Sequence, residues 1–180
     1  MPAMLSRILL ALSLVASAHA APPQHAADDI ERYFTDNGLT AQIDQIRQDV
    51  GTRASDLVVN AMNFLGVPYR RGGNDERGFD CSGFVRSMYE QTIGLVLPRR
   101  ARDQAAATEK IDKQDLQPGD LVFFNTMRQR FSHVGIYLGD NKFIHAPRAG
   151  EEVRVDDMRA AYWQRRFTGA RRVNEAPAKR

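Results

Sequence analysis

Leu116-Gln117-Pro118-Gly119-Asp120-Leu121-Val122-Phe123-Phe124 is the stretch on which the reading of the fold turns. Its Pro-Gly-Asp core is a turn signal, and the hydrophobic pattern differs on its two sides. Before it, Leu57, Val58, Ala61, Met62 and Leu65 recur at three- and four-residue spacing, as do Cys81, Phe84, Val85 and Met88, which predicts amphipathic helices over residues 55–65 and from 81 to about 91. After it, residues 121–125, 133–138, 142–146 and 153–155 read as strands separated by turn-rich segments. Helices first and an antiparallel meander second is an α+β pattern, with the helices packed on an antiparallel sheet.

Working outward from the turn, residues 98–108 suggest a further short helix, and the segment 66–79, with four glycines and one proline, is a loop that delivers the chain to Cys81. Asp80 is placed as N-cap of the helix that Cys81 opens, and Gly94 as its stop. Ser55 is the expected cap of the helix before it. Residues 28–50 read as two short helices broken at Asn37-Gly38, with Ile43, Ile46 and Val50 on one side of the second. Trp163 and Phe167 are expected to close the core, ahead of a loose tail. The organisation is therefore a signal peptide at 1–20, a leader at 21–52, one compact domain at 53–168 and a flexible tail at 169–180.

Composition narrows the function classes. The apolar fraction of 43% and charged fraction of 26% are those of an ordinary folded domain. In residues 1–20 one arginine precedes a short apolar run, and Ala18-His19-Ala20 offers a cleavage site, so export to the periplasm or beyond the cell is expected. The run is short for a spanning helix, and no stable span is expected after cleavage; a retained anchor is the alternative. With 25 Lys+Arg against 22 Asp+Glu, the charge excess is too small and too interleaved to point to nucleic acid.

Cys81 is the only cysteine, so no internal disulfide can form. A solitary thiol in an exported protein is buried filler, an intermolecular link or a reactive group. The start of a helix favours thiolate through its free amide donors, whereas Asp80 opposes it unless turned toward backbone amides or an arginine. Beyond the signal the histidines are His25, His133 and His145. Along a strand His133, Gly135 and Tyr137 share one face. A three-residue loop at 139–141 pairs Gly135 with His145 and puts both histidines on that face. A two-residue Asp140-Asn141 turn moves His145 to the other face unless a bulge compensates, so a catalytic reading predicts an odd loop or a bulge. In that reading His133 is the base, His145 orients it, Gly135 leaves room for a cleft, and the Cys81 N–H helps to hold an oxyanion. A zinc site of one cysteine and two histidines, or a buried Cys81 beside two incidental histidines, fits the same pattern.

Taken together, Phe79-Asp80-Cys81-Ser82-Gly83-Phe84, the stretch at 116–124, Ser132-His133-Val134-Gly135-Ile136-Tyr137-Leu138-Gly139 and Phe143-Ile144-His145-Ala146 resemble, in order, the NlpC/P60 family of cell-wall cysteine peptidases. The resemblance implies a papain-like α+β fold with Cys81 as nucleophile, His133 as base, His145 as the third polar group and no cofactor. It implies that Tyr69 shapes the substrate and oxyanion region and that Asp80 and Ser82 help to hold the substrate. It also implies peptidoglycan stem peptides as substrate, cut at a γ-D-glutamyl to diamino acid bond or at a diaminopimelate cross-link. Arg70, Arg71 and Arg99 are candidates for the carboxylates of such a substrate. The sequence shows neither a lipidation cysteine nor an SH3-like or LysM segment, so affinity for the polymer is expected from the domain, the leader or an envelope regulator or adaptor protein. The leader braces the fold or covers the cleft. An amidase, acyltransferase or toxin of the same fold, and a non-catalytic envelope-binding protein, are the other readings.

Overall fold

The computed structural model describes residues 39–126 and 129–174. The signal peptide expected at 1–20, the first predicted leader helix and the last residues of the predicted tail lie outside the described residues. The chain divides into the units Met1–Asp44 and Gln45–Arg180, and the second carries the site.

Helix α1 runs Leu39–Met62 without interruption. The boundary expected at 52/53, and the separate helix expected to start at Ser55, both fall inside it. Ser55 does not cap; its hydroxyl donates to the Gly51 carbonyl one turn back at 2.9 Å, and Thr52 does the same to Gln48. Such bonds let a hydroxyl residue sit within a helix rather than start one. Leu57 and Ala61 are buried, while Met62 and Leu65 stand 39% and 44% exposed, so the apolar stripe is narrower than its spacing suggests.

The loop that follows folds into a small hairpin, β1 (Asn74–Asp75) with β2 (Gly78–Phe79), and leads directly into α2 (Cys81–Ile93). Asp80 caps α2 by accepting from the Gly83 N–H, and Gly94 ends it in the left-handed conformation at φ 76°. A Cβ on Gly83 would run into the Gly73 carbonyl, so this position admits no side chain while the hairpin lies against the helix start. Helix α3 (Ala101–Ala106) follows.

Six strands form one antiparallel sheet: β3 (Glu109–Ile111), β4 (Leu121–Phe124), β5 (His133–Gly139), β6 (Lys142–His145), β7 (Arg154–Asp157) and β8 (Phe167–Arg172), in the spatial order β3-β8-β4-β5-β6-β7. The central meander matches the sequence reading. The last strand corrects it, because the domain end expected at 168 lies within β8, which pairs with β4 on one side and β3 on the other. Its arginines find partners distant in sequence: Arg172 binds Asp120 at 2.7 Å and Arg171 donates to the Ala105 carbonyl at 2.9 Å. A polar segment thus becomes a strand through its neighbours rather than through its own propensity.

The sheet has two unlike faces. Leu121, Phe123, Val134, Ile136 and Ile144 pack with Phe84, Val85 and Met88 of α2. Val122, Phe124, Tyr137 and Phe143 point the other way and are covered by Trp163 of the short helix α4 (Ala161–Gln164), with Phe167 alongside. This is the papain-like α+β arrangement that the motifs imply.

Candidate active site

Cys81 is the first residue of α2, half-buried at the edge of the helix-side core. The neighbouring carboxylate is fully engaged. Asp80 accepts from the N–H groups of Gly83 at 2.7 Å and Gly72 at 3.0 Å, and both of its oxygens receive the Arg99 guanidinium, at 2.9 and 2.6 Å. Arg99 also donates to the Ser82 hydroxyl at 3.1 Å. Asp80 is therefore turned toward amides and an arginine, which is the condition the helix-start argument requires. Burial, followed by the charge of Asp80, still pushes the Cys81 thiol up to about 11, against the opposing pull of backbone N–H groups at Val134 and Ser82.

The imidazoles come from adjacent strands. Ile136 pairs with Ile144 and Tyr137 with Phe143, whereas Gly139 pairs with Lys142, so Leu138 is an extra residue in β5. The turn is the two-residue one, Asp140-Asn141, with φ of 49° and 60°, and the bulge restores the register that brings both histidines to one face. His133 Nε2 lies 2.7 Å from His145 Nδ1. His133 is 3% exposed and His145 0%, and burial holds both well toward the neutral form; for His133 the neighbouring His145 adds to the effect. Gly135 does not open a cleft between them. A Cβ there would meet Phe143 at 2.7 Å and His145 at 3.2 Å, so the missing side chain makes room for the second imidazole and the ring beneath it. Trp163 stacks on His133 with ring centroids 5.6 Å apart.

Two ring nitrogens that face each other at hydrogen-bond distance do not present two lone pairs to one metal ion, so this pair does not fit the zinc alternative. One further group joins the pair: Asp156 of β7 stands 3.1 Å from His145 Nε2. Sequence reading missed it. Its only signal was the alternation Arg154, Asp156 in a short strand, which says nothing until the pairing with β6 is known.

A cleft of about 530 Å³ has Cys81 and His133 in its wall, together with Tyr69. Burial first, and then the nearby Asp80 carboxylate and Cys81 when it is a thiolate, raise the Tyr69 phenol, which keeps it a donor. The charged part of the wall is Arg148, Glu151 and Arg154, none of them singled out from sequence. Arg148 and Arg154 both reach Glu151, at 2.9 and 3.1 Å. Arg70, Arg71 and Arg99 lie outside this wall; Arg99 is committed to Asp80, and Arg70 stands 3.7 Å from Asp75.

Residues 66–172 match the NlpC/P60 family, which covers more than half of the chain. The chain is 32% identical over 189 residues to the Probable endopeptidase NlpC homolog of Haemophilus influenzae, covering 94% of this chain and 100% of that protein. It is 41% identical over 126 residues to Murein DD-endopeptidase MepH of Escherichia coli, covering 67% of this chain and 46% of that protein. To Gamma-DL-glutamyl hydrolase of Bacillus subtilis it is 42% identical over 132 residues, covering 72% of this chain and 32% of that protein. The chain therefore spans less than half the length of the latter two. The crystal structure of an NlpC/P60 family protein from Bacillus cereus superposes with a TM-score of 0.63 at 37% identity, covering 66% of this chain and 39% of that one. A cysteine opening a helix, two imidazoles in contact on the following hairpin and these matches lead to one conclusion: the chain belongs to the NlpC/P60 family of cysteine peptidases.

Proposed function

We propose that this protein is a peptidoglycan endopeptidase that hydrolyses stem-peptide bonds through Cys81, His133 and His145, acting in the periplasm or outside the cell. The observation that carries the reading is that Cys81, at the start of α2, and His133, held by His145, share the wall of one cleft. His133 uses Nε2 toward His145, which leaves Nδ1 for the thiol. With the thiol pushed up to about 11 and the imidazole kept neutral by burial, the resting pair is uncharged. The proton then moves from Sγ to Nδ1 as sulfur attacks the substrate carbonyl. The same Nδ1–H is given to the leaving amine, and water cleaves the thioester.

The Tyr69 phenol and the amides at the start of α2 are the donors offered to the oxyanion. A stem peptide carries carboxylates and, at its diamino acid, an ammonium. Arg148 and Arg154 supply cations in the cleft wall and Glu151 an anion, so these residues recognise the substrate, while Asp80, Ser82 and Arg99 brace the nucleophile. Two bonds remain as the choices within this reading, the γ-D-glutamyl to diamino acid bond and the diaminopimelate cross-link.

Incubation of the protein lacking residues 1–20 with defined muropeptides, followed by mass spectrometry of the products, tests the proposal. Turnover by the unaltered protein and a loss of at least about 10³-fold in Cys81→Ala are expected. Unchanged turnover in Cys81→Ala, or no product from any muropeptide, rejects it.

A further inference from the structure

Asp156 is where the hydrogen bonds of the far face converge. Its Oδ2 receives the indole N–H of Trp163 at 3.1 Å and the guanidinium of Arg154 at 3.2 and 3.3 Å, and it lies 3.1 Å from His145 Nε2. The carboxylate is also held down to about 2, chiefly by His145, so it is ionised at any pH of interest.

An ionised carboxylate accepts hydrogen bonds and cannot donate them. The proton in the His145–Asp156 bond must therefore sit on His145 Nε2. In a neutral imidazole this leaves Nδ1 as a lone pair. The next bond, His133 Nε2 to His145 Nδ1 at 2.7 Å, then needs its proton on His133 Nε2. One consequence follows for the nitrogen that matters: His133 Nδ1 carries no proton and is free to take one.

We propose that Asp156 is a positioning residue that fixes the tautomers of both imidazoles in series, so that Cys81 meets a proton acceptor rather than a second donor. The inference rests on the Cys81–His133 reading given above. During attack the Sγ–H bond breaks and an Nδ1–H bond forms on His133. The positive charge rests on that imidazole, its Nε2–H remains donated to His145, and Asp156 faces the growing charge through one neutral ring. No proton needs to reach the carboxylate.

The discriminating variant is Asp156→Leu, which removes the acceptor. Asp156→Asn is the conservative variant, because Trp163 and Arg154 can only donate and hold the amide oxygen at the Oδ2 position, where it still accepts from His145 Nε2. In Asp156→Leu nothing keeps the proton on His145 Nε2, and His133 protonated on Nδ1 becomes populated. The expected result is a fall in kcat of roughly 10²- to 10⁴-fold with KM nearly unchanged, and a substantial rescue in Asp156→Asn. Nitrogen-15 spectra of labelled histidine should show Nε2-protonated His133 and His145 in the unaltered protein and in Asp156→Asn, and mixed tautomers in Asp156→Leu. Asp157→Asn is the control: that neighbouring carboxylate is also held at about 2, but by Arg159 on the surface, and its removal should leave kcat as it was. A purely structural tie between β7 and α4 would lower the folded fraction of Asp156→Leu and leave the tautomers of its folded molecules as they were. If Cys81→Ala is inactive but Asp156→Leu keeps kcat within about threefold, or its folded molecules keep the original tautomers, this inference falls and the catalytic reading stands. If Cys81→Ala stays active, the catalytic reading itself falls. Should Asp156→Leu not fold, the spectrum of the unaltered protein decides alone, since an Nδ1-protonated His133 overturns the proposal.

Discussion

The two faces of the central strands are built from alternate residues of the same strands, yet they do different work. Toward α2 the sheet presents Leu121, Phe123, Val134, Ile136 and Ile144, a surface without a polar side chain that is held by burial alone. On the far side Phe124, Tyr137 and Phe143 frame two buried imidazoles, and the cover is Trp163, whose N–H is itself committed to Asp156. Apolar packing tolerates changes that conserve volume. A buried polar chain does not, because each group lost leaves another unsatisfied in a medium that cannot replace it. The helix-side face should therefore govern whether the chain folds, and the far face whether the folded chain reacts.

The sharpest way to break that distinction is a matched pair. Phe123 and Phe124 are adjacent and both 0% exposed, one on each face. Each Phe→Ala change should cost about 3–5 kcal/mol of stability. Turnover per folded molecule should survive in Phe123→Ala and fall steeply in Phe124→Ala, because Phe124 packs 4.8 Å from both Phe143 and Trp163 and 6.4 Å from His133. Equal turnover in the two folded variants, measured beside chemical denaturation, would erase the distinction.

A smaller change probes the crowding around the imidazoles. Gly135→Ala adds one carbon against Phe143 and His145 and should cost about 1–3 kcal/mol, with a loss of kcat that Val134→Ile on the opposite face does not reproduce. Denaturant midpoints and muropeptide kinetics on the two variants check this.

Acid should expose the far face next. His133 and His145 titrate below the ordinary value of 6.5 because burial disfavours their charged forms. Their contribution to stability is present above about pH 6.5 and is lost as pH falls below it, where the unfolded chain binds protons that the folded one refuses. Asp156, held at about 2, stays ionised through that window and adds its own loss only below about pH 4. Thermal midpoints between pH 7.5 and 4.5 should fall less in His133→Gln than in the unaltered protein.

The smallest effect on stability belongs to the cleft rim. Arg148 is 79% exposed, and Arg148→Ala should leave the thermal midpoint where it was while raising KM for muropeptides. An unchanged KM would remove Arg148 from substrate recognition.

How much of this was legible from the residues follows the distance over which each feature is decided. The cap at Asp80, the helix from Cys81 and its end at Gly94 were readable because each depends on neighbours within a turn. The meander was readable from alternation. The single helix α1 was not, because Ser55 looks like a cap until its hydroxyl is seen bonded back to Gly51. Strand β8 was hidden by arginines whose partners, Asp120 and the Ala105 carbonyl, lie far away in sequence.

The site divides along the same line. By themselves the residues determined that a lone thiol starts a helix and that two histidines sit on successive strands, since capping and alternation act over a few positions. They left two outcomes for the hairpin, and only the folded sheet, through the Leu138 bulge, chose the one that joins the imidazoles. The tertiary structure also brought Asp156 to His145, and so decided which ring nitrogen is left free. That choice depends on the register of three strands at once, and register is set by what packs on each face rather than by any segment alone.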